Sequence, residues 1–227
     1  MVILRSVRTV LIFIVHNGTV FITSSESVYN EIREKILSGE LESGQHLSMR
    51  KMAALAGTSV SPVTEAFKKL EEDGLIESQP KWGARVAVYT KEKIEDFLML
   101  RMAIECQIIR ILAERMTEEQ YSECKKITEK LDSYKFSETD LTEISNLHIK
   151  LHSRLAEMAE YPSLTKMLKR CHLSWLFINS NRKRSTFHEE LPPNWHGRLL
   201  DVIMERNPDK AEALMRDHVN DLFKDYV

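Results

Sequence analysis

Four of the eight histidines in this 227-residue chain have a spacing that can do chemistry. His148 and His152 stand four residues apart in NLHIKLHSRL, so on a helix they share one face. His196 and His218 follow in two later segments, 22 residues apart and beyond the reach of a local motif. A helical bundle can still converge four side chains from three helices in its interior. Four neutral imidazoles suit Zn²⁺, Ni²⁺, Co²⁺ or Fe²⁺ better than Ca²⁺ or Mg²⁺, which prefer oxygen. The spacing alone leaves a plainer reading open, because a histidine beside Leu147, Leu151 and Leu155 is more often a packed side chain. Arg101 either faces such a cavity and pairs with an organic acid, or pairs with Glu105 one helical turn on. Asp96, Glu105 and Glu157 read as ordinary helix charges unless the fold places one beside a metal, and the sequence gives His16, His46, His172 and His188 no role.

The elements that must position these residues are helices. From Thr90 onward apolar residues recur at helical spacing: a helix capped by Thr90 to about 115, another after Thr117 to about 134, a third near 138 to 160. Pro162 and Ser163 break the pattern before a helix over 164 to 178, one helix ends near Glu205, and a last one is capped by Asn207. Successive amphipathic helices with short breaks predict an antiparallel bundle over residues 90–227.

Ahead of it, residues 47–89 read as helix, tight turn, helix and two short strands. Met49 to Ala56 forms the first helix, with Met52, Ala53 and Leu55 for its inner side, and Gly57 stops it. Ser61 caps the second helix with Pro62 at its first position, and Val63, Ala66, Phe67 and Leu70 make its apolar stripe. With a helix over Ser27 to Leu37, this predicts a winged helix-turn-helix over residues 27–89 that offers the helix from Pro62 to a DNA major groove. The whole chain carries a formal charge of only −2, but residues 45–70 hold Arg50, Lys51, Lys68 and Lys69 against Glu65, a local excess of +3. Three cysteines give neither a disulfide framework nor a close metal pair, which points to a reducing, cytoplasmic setting. Residues 1–26 form an atypical extension, either an added strand or hairpin or sequence upstream of the functional start. Its longest apolar run, Val10 to Val15, is too short to span a bilayer, and no membrane partner is expected.

SVYNEIREKILSGELESGQHLS and RKMAALAGTSVSPVTEAFKKLEEDGLIESQPKWGARV resemble the first helix, helix-turn-helix and wing of bacterial GntR-family transcription regulators. LRMAIE, HIKLHSRLAEMAEYPSL and WHGRLLDVIMERNPDKAEALMRDHV are similar to segments of the FadR-type subgroup, whose second domain is called FCD. The resemblance implies a mainly α protein and a homodimer on palindromic double-stranded operator DNA, with a small carboxylate effector in the helical domain. It places Arg50 on a DNA contact, with Ser61, Thr64, Lys68 and Lys69 on the recognition helix and Lys81 and Arg85 in the wing. Two positions that are basic in relatives are Val60 and Thr64 here; valine can touch only a thymine methyl or sugar, while threonine can still donate one bond. Metal-dependent relatives place histidines where His152, His196 and His218 stand, and an aspartate at His148. The implied cofactor is therefore a divalent transition metal, Zn or else Ni, Co or Fe, with Arg101 as a second anchor for the acid. Two further readings stay open: a metal-dependent enzyme, and a regulator that has lost specific DNA binding and acts through protein partners.

Overall fold

The computed structural model describes residues 14–15, 18–19, 24–79, 83–134, 141–180 and 193–221. Lys81 of the wing lies outside the described residues. The described residues begin with a small pairing, β1 (Ile14–Val15) antiparallel to β2 (Gly18–Thr19). The first lobe then holds α1 (Ser24–Leu37), β3 (His46–Leu47), α2 (Met49–Ala56), α3 (Val60–Glu72), β4 (Ile76–Gln79) and β5 (Gly83–Val86). Among the described residues the second holds only helices: α4 (Lys91–Arg115), α5 (Glu118–Asp132), α6 (Leu141–Met158), α7 (Pro162–Ser180), α8 (Trp195–Met204) and α9 (Pro208–Asp221). The protein is thus mainly α, a winged helix-turn-helix followed by a helical bundle. No helix among the described residues is long and apolar enough to cross a membrane.

The helix-turn-helix closes on local chemistry. Ser48 accepts a bond from the Lys51 amide at the start of α2, and Gly57 ends that helix at φ 62°, its amide turned to the carbonyls of Ala53 and Ala54. Two details differ from the sequence reading. Helix α3 starts at Val60 with Ser59 as its cap, so Pro62 occupies the third helical position rather than the first. Proline is tolerated there because the first four amides of a helix have no intrahelical acceptor to lose. Leu55 is 62% exposed, because Met49, Met52, Ala53 and Ala56 already share the inner side of so short a helix. Val28, Ile32 and Ile36 of α1 and Val63, Ala66, Phe67 and Leu70 of α3 bury their stripes in one core with Leu47, Ile76 and Val86 from the sheet.

That sheet runs β3-β5-β4, and β3 comes from a segment that reads only as a connection. A two-residue strand leaves no alternation to detect. His46 pairs with Arg85 and Leu47 with Ala84. Gly83 has a φ of 93°, and a Cβ on it would stand 3.0 Å from the Leu47 carbonyl oxygen, so the wing needs glycine there.

In the bundle, α4 packs along α9 and also meets α6, α7 and α8, while α5 lies against α6 and α8. Thr90 caps α4, Thr117 and Gln120 form a reciprocal capping box on α5, and Asn207 Oδ1 accepts from the Lys210 amide at 3.1 Å. Pro162 opens α7 as its first residue instead of preceding it, a position where its missing amide costs nothing. The lobes meet at Tyr89, which packs against both cores. Its hydroxyl stands 2.8 Å from Ser174 Oγ on α7 and 3.3 Å from the Gly74 carbonyl at the end of α3. Arg170 of α7 donates to the Glu72 carbonyl beside it.

Candidate functional site

Helix α6 carries His148 and His152 on one face, α8 brings His196 in its first turn, and α9 brings His218 in its last. All four are buried, none more than 3% exposed. His218 Nε2 lies 3.3 Å from His148 Nε2 and 3.2 Å from His152 Nε2. The His196 ring centroid is 5.3 Å from that of His148 and 5.1 Å from that of His218. His148, His196 and His218 each offer a ring nitrogen within 4.8 Å of the other two. Nitrogens about 2.1 Å from a tetrahedral zinc lie roughly 3.4 Å apart, so the shortest spacings suit a divalent transition ion. His152 adjoins this trio through His218.

Two carboxylates stand behind the imidazoles, and both went unread as partners in the sequence. Asp132 at the end of α5 takes His196 Nδ1 at 2.6 Å and the amides of His196 and Gly197 at 3.1 and 2.9 Å. This fixes the ring and leaves its buried Nε2 without a hydrogen-bond partner, free for an ion. Glu105 Oε2 lies 2.5 Å from His152 Nδ1, while its other oxygen pairs with Arg101. Glu105 is therefore a buried partner of the histidine centre rather than an ordinary helix charge. Arg101 is fully buried in that ion pair, which matches the local i, i+4 reading and also places its guanidinium inside the bundle. His172, given no role by the sequence, is buried on α7 with Nδ1 3.3 Å from Ser153 Oγ and its ring 6.5 Å from that of His152.

Burial and the neighbouring imidazoles push His148 and His218 well below the ordinary histidine value. Burial lowers His196 too, against the pull of Asp132, and brings His172 down to about 3. For Glu105 burial works upward, but Arg101 and His152 prevail and hold it well below the carboxylate range. Burial likewise raises Asp132, and its bonds to His196 and Gly197 overcome that. At neutral pH His148, His196 and His218 are thus neutral, the form a metal needs, while the nearby Asp132 and Glu105 carboxylates are ionised.

On the first lobe, Arg50 and Ser61 are exposed on α2 and the first turn of α3. Lys68 is exposed and pairs with Glu65 at 3.3 Å. The Thr64 hydroxyl is engaged within the protein: it donates to the Val60 carbonyl at 3.0 Å and lies 3.7 Å from Met49 Sδ, so a bond from it to DNA would have to replace that one. Lys69 turns away from that face, its Nζ 4.2 Å from the Tyr29 ring centroid in a cleft of about 790 Å³ between the lobes. Arg85 sends Nε and Nη2 to Glu77 Oε2 at 2.9 and 2.7 Å. No local pattern reveals the last two engagements, since both partners come from other elements.

The family description "Bacterial regulatory proteins, gntR family" matches residues 24–86, and "FCD domain" matches residues 96–221. The HTH-type transcriptional repressor RspR of Escherichia coli K12 is 24% identical over 210 residues, covering 87% of this chain and 86% of the relative. The uncharacterized HTH-type transcriptional regulator YdhC of Bacillus subtilis is 22% identical over 192 residues, 85% of this chain and 86% of its own. The structure of E. coli McbR/YncC superposes with a TM-score of 0.69 at 16% identity, covering 90% of this chain and 97% of that one. A GntR regulator from Rhodococcus sp. RHA1 gives 0.68 at 20% identity, covering 89% and 96%. These structures share the fold, and the relatives are transcription regulators rather than enzymes. The chain belongs to the gntR family of bacterial regulatory proteins, in the branch whose second domain is FCD.

Proposed function

We propose that this DNA-binding, effector-responsive regulator works in the cytoplasm as a homodimer on a palindromic operator, and that a metal in its helical domain receives a small carboxylate. The observation that carries the metal is the group of buried imidazoles, three with ring nitrogens within 4.8 Å of one another, and carboxylates holding His196 and His152. His148, His196 and His218 hold the ion, and His152 either completes the set or yields its place to the effector. Zinc suits an all-imidazole tetrahedral site, with nickel, cobalt or iron as alternatives. The ion supplies a positive anchor for a carboxylate, since imidazoles cancel none of its charge, and Arg101 is the second anchor. In this reading residues 27–89 are the operator-binding domain, 90–227 the effector and dimer domain, and 1–26 an extension.

Arg50, Ser61 and Lys68 face the DNA, with Thr64 beside them and Arg85 and Lys81 in the wing. Effector binding shifts operator affinity by favouring one arrangement of the two winged helices. Footprinting with purified protein tests the reading; absence of any protected inverted repeat upstream of a gene would reject the operator. Arg50→Ala is expected to cost specific binding about 1–3 kcal/mol where Arg50 reads a base. Where it meets phosphate alone, affinity falls about equally on all sequences and the salt slope becomes shallower by about one unit. Unchanged affinity for cognate and random duplexes would remove Arg50 from the interface.

A further inference from the structure

The outward face of α3 carries an unusual set of side chains for a helix that enters a DNA groove. Its inner face is occupied by Val63, Ala66, Phe67 and Leu70. What remains outward at helical spacing is Val60, Thr64 and Lys68, with Ser61 and Glu65 beside them. Val60 is the first helical residue and 43% exposed. Residues at the N-terminal end of a recognition helix are those that reach base edges, so Val60 and Thr64 hold that place. Lys68 lies eight residues on, about 12 Å along the axis, and already pairs with Glu65.

Neither leading residue offers an outward donor. Valine has none, and the Thr64 proton is directed to the Val60 carbonyl. Thr64 therefore adds its γ-methyl and an acceptor oxygen. Guanine presents two acceptors in the major groove, which this pair would desolvate without replacing their water bonds. Thymine presents one apolar group there, its 5-methyl, which an apolar pair covers favourably.

We infer that Val60 and Thr64 form an apolar reading face that selects thymine through its 5-methyl group in each half-site, a selection that presupposes the operator binding proposed above. The face tolerates no guanine at the position under Val60, and its contribution is insensitive to salt because no charge is involved.

A duplex enriched from a random library by the full-length protein, and copies with uracil replacing single thymines, provide the test. Uracil differs from thymine only by the missing methyl. At the thymine under Val60 the replacement is expected to weaken binding about fourfold, the worth of one buried methyl-sized group. Val60→Ala should lose a similar factor on the thymine duplex and nothing further on the uracil duplex, a coupling that a change in duplex shape would not produce. Thr64→Ser, which keeps the hydroxyl and drops the methyl, should show the same pattern at a neighbouring thymine. Val60 lies outside the core, and alanine favours helix, so the variant retains its fold. Uracil tolerated at every thymine of an enriched half-site, or a uracil penalty identical in wild type and Val60→Ala, would overturn the inference while leaving operator binding intact. A library that yields no enriched sequence would overturn both.

Discussion

Alanine at His218 is expected to abolish metal binding and to make the melting temperature independent of added zinc. Wild-type protein should gain about 4 kcal/mol when free zinc exceeds its Kd a thousandfold. For a domain of this size that raises the melting temperature by roughly 8–16 °C. His218 is chosen because its Nε2 stands between those of His148 and His152, so its loss removes the shared vertex of the group. His196→Ala should behave similarly. Asp132→Asn leaves every imidazole in place but loosens the His196 ring, and should weaken metal affinity about 10–100-fold. His152→Ala separates a three-imidazole centre, which keeps its metal, from a four-imidazole one, which does not. Elemental analysis and scanning calorimetry on protein purified without a metal-affinity tag read all of these. One full equivalent of metal in His148→Ala, His196→Ala and His218→Ala alike would end the metal reading.

The metal-free protein should lose stability steeply as pH falls below about 6.5, where unfolded histidine begins to bind protons. His148, His172, His196 and His218 have folded values below that, so in this range the unfolded chain takes up protons that the folded chain refuses. Their contribution is complete above the unfolded value and is lost as pH falls from there toward the folded values. Each costs up to about 1.4 kcal/mol per pH unit, so the four together reach roughly 5 kcal/mol per unit. A domain of ordinary stability, about 5–15 kcal/mol, is exhausted within about one to three units. Glu105 and Asp132, held low in the folded state, add to the loss only at still lower pH, below the unfolded carboxylate range. Urea melts at pH 7, 6 and 5 check this. His172→Phe should flatten the slope by about one proton's worth, and an unchanged midpoint from pH 7 to 5 would show the imidazoles to be hydrated. Bound zinc should carry the stable range to lower pH, since protons must first displace it.

Much of this architecture is legible in the sequence wherever one residue acts on its near neighbours. The caps at Thr90, Thr117 and Asn207 and the stop at Gly57 each complete their bonds within a few residues. The start of α3 is harder, because Ser59 and Ser61 both suit a cap and Ser59 makes no side-chain bond to announce itself. The four histidines are findable by the His148–His152 spacing together with the resemblance of the later segments. Their supports are not. Asp132 meets His196 across 64 residues and Tyr89 meets Ser174 across 85, and no periodicity encodes which helices become neighbours. The same limit hides the engagement of Lys69 with Tyr29 and of Arg85 with Glu77.

Tyr89 packs against both cores, with its hydroxyl against Ser174 and Gly74, and two residues later the chain enters α4. Lys93, in the first turn of that helix, reaches back to Glu77 and to the Val88 carbonyl. These bonds brace the joint between the lobes on both sides, so the winged helix does not hang from it as a loose swivel. In the proposed dimer each arrangement of the two reading heads would then have its own phase around the duplex. A swivelling pair would follow half-sites moved along the DNA, but braced heads cannot. Five inserted base pairs, about half a turn, would carry one half-site to the far side of the DNA, whereas about ten would restore its direction.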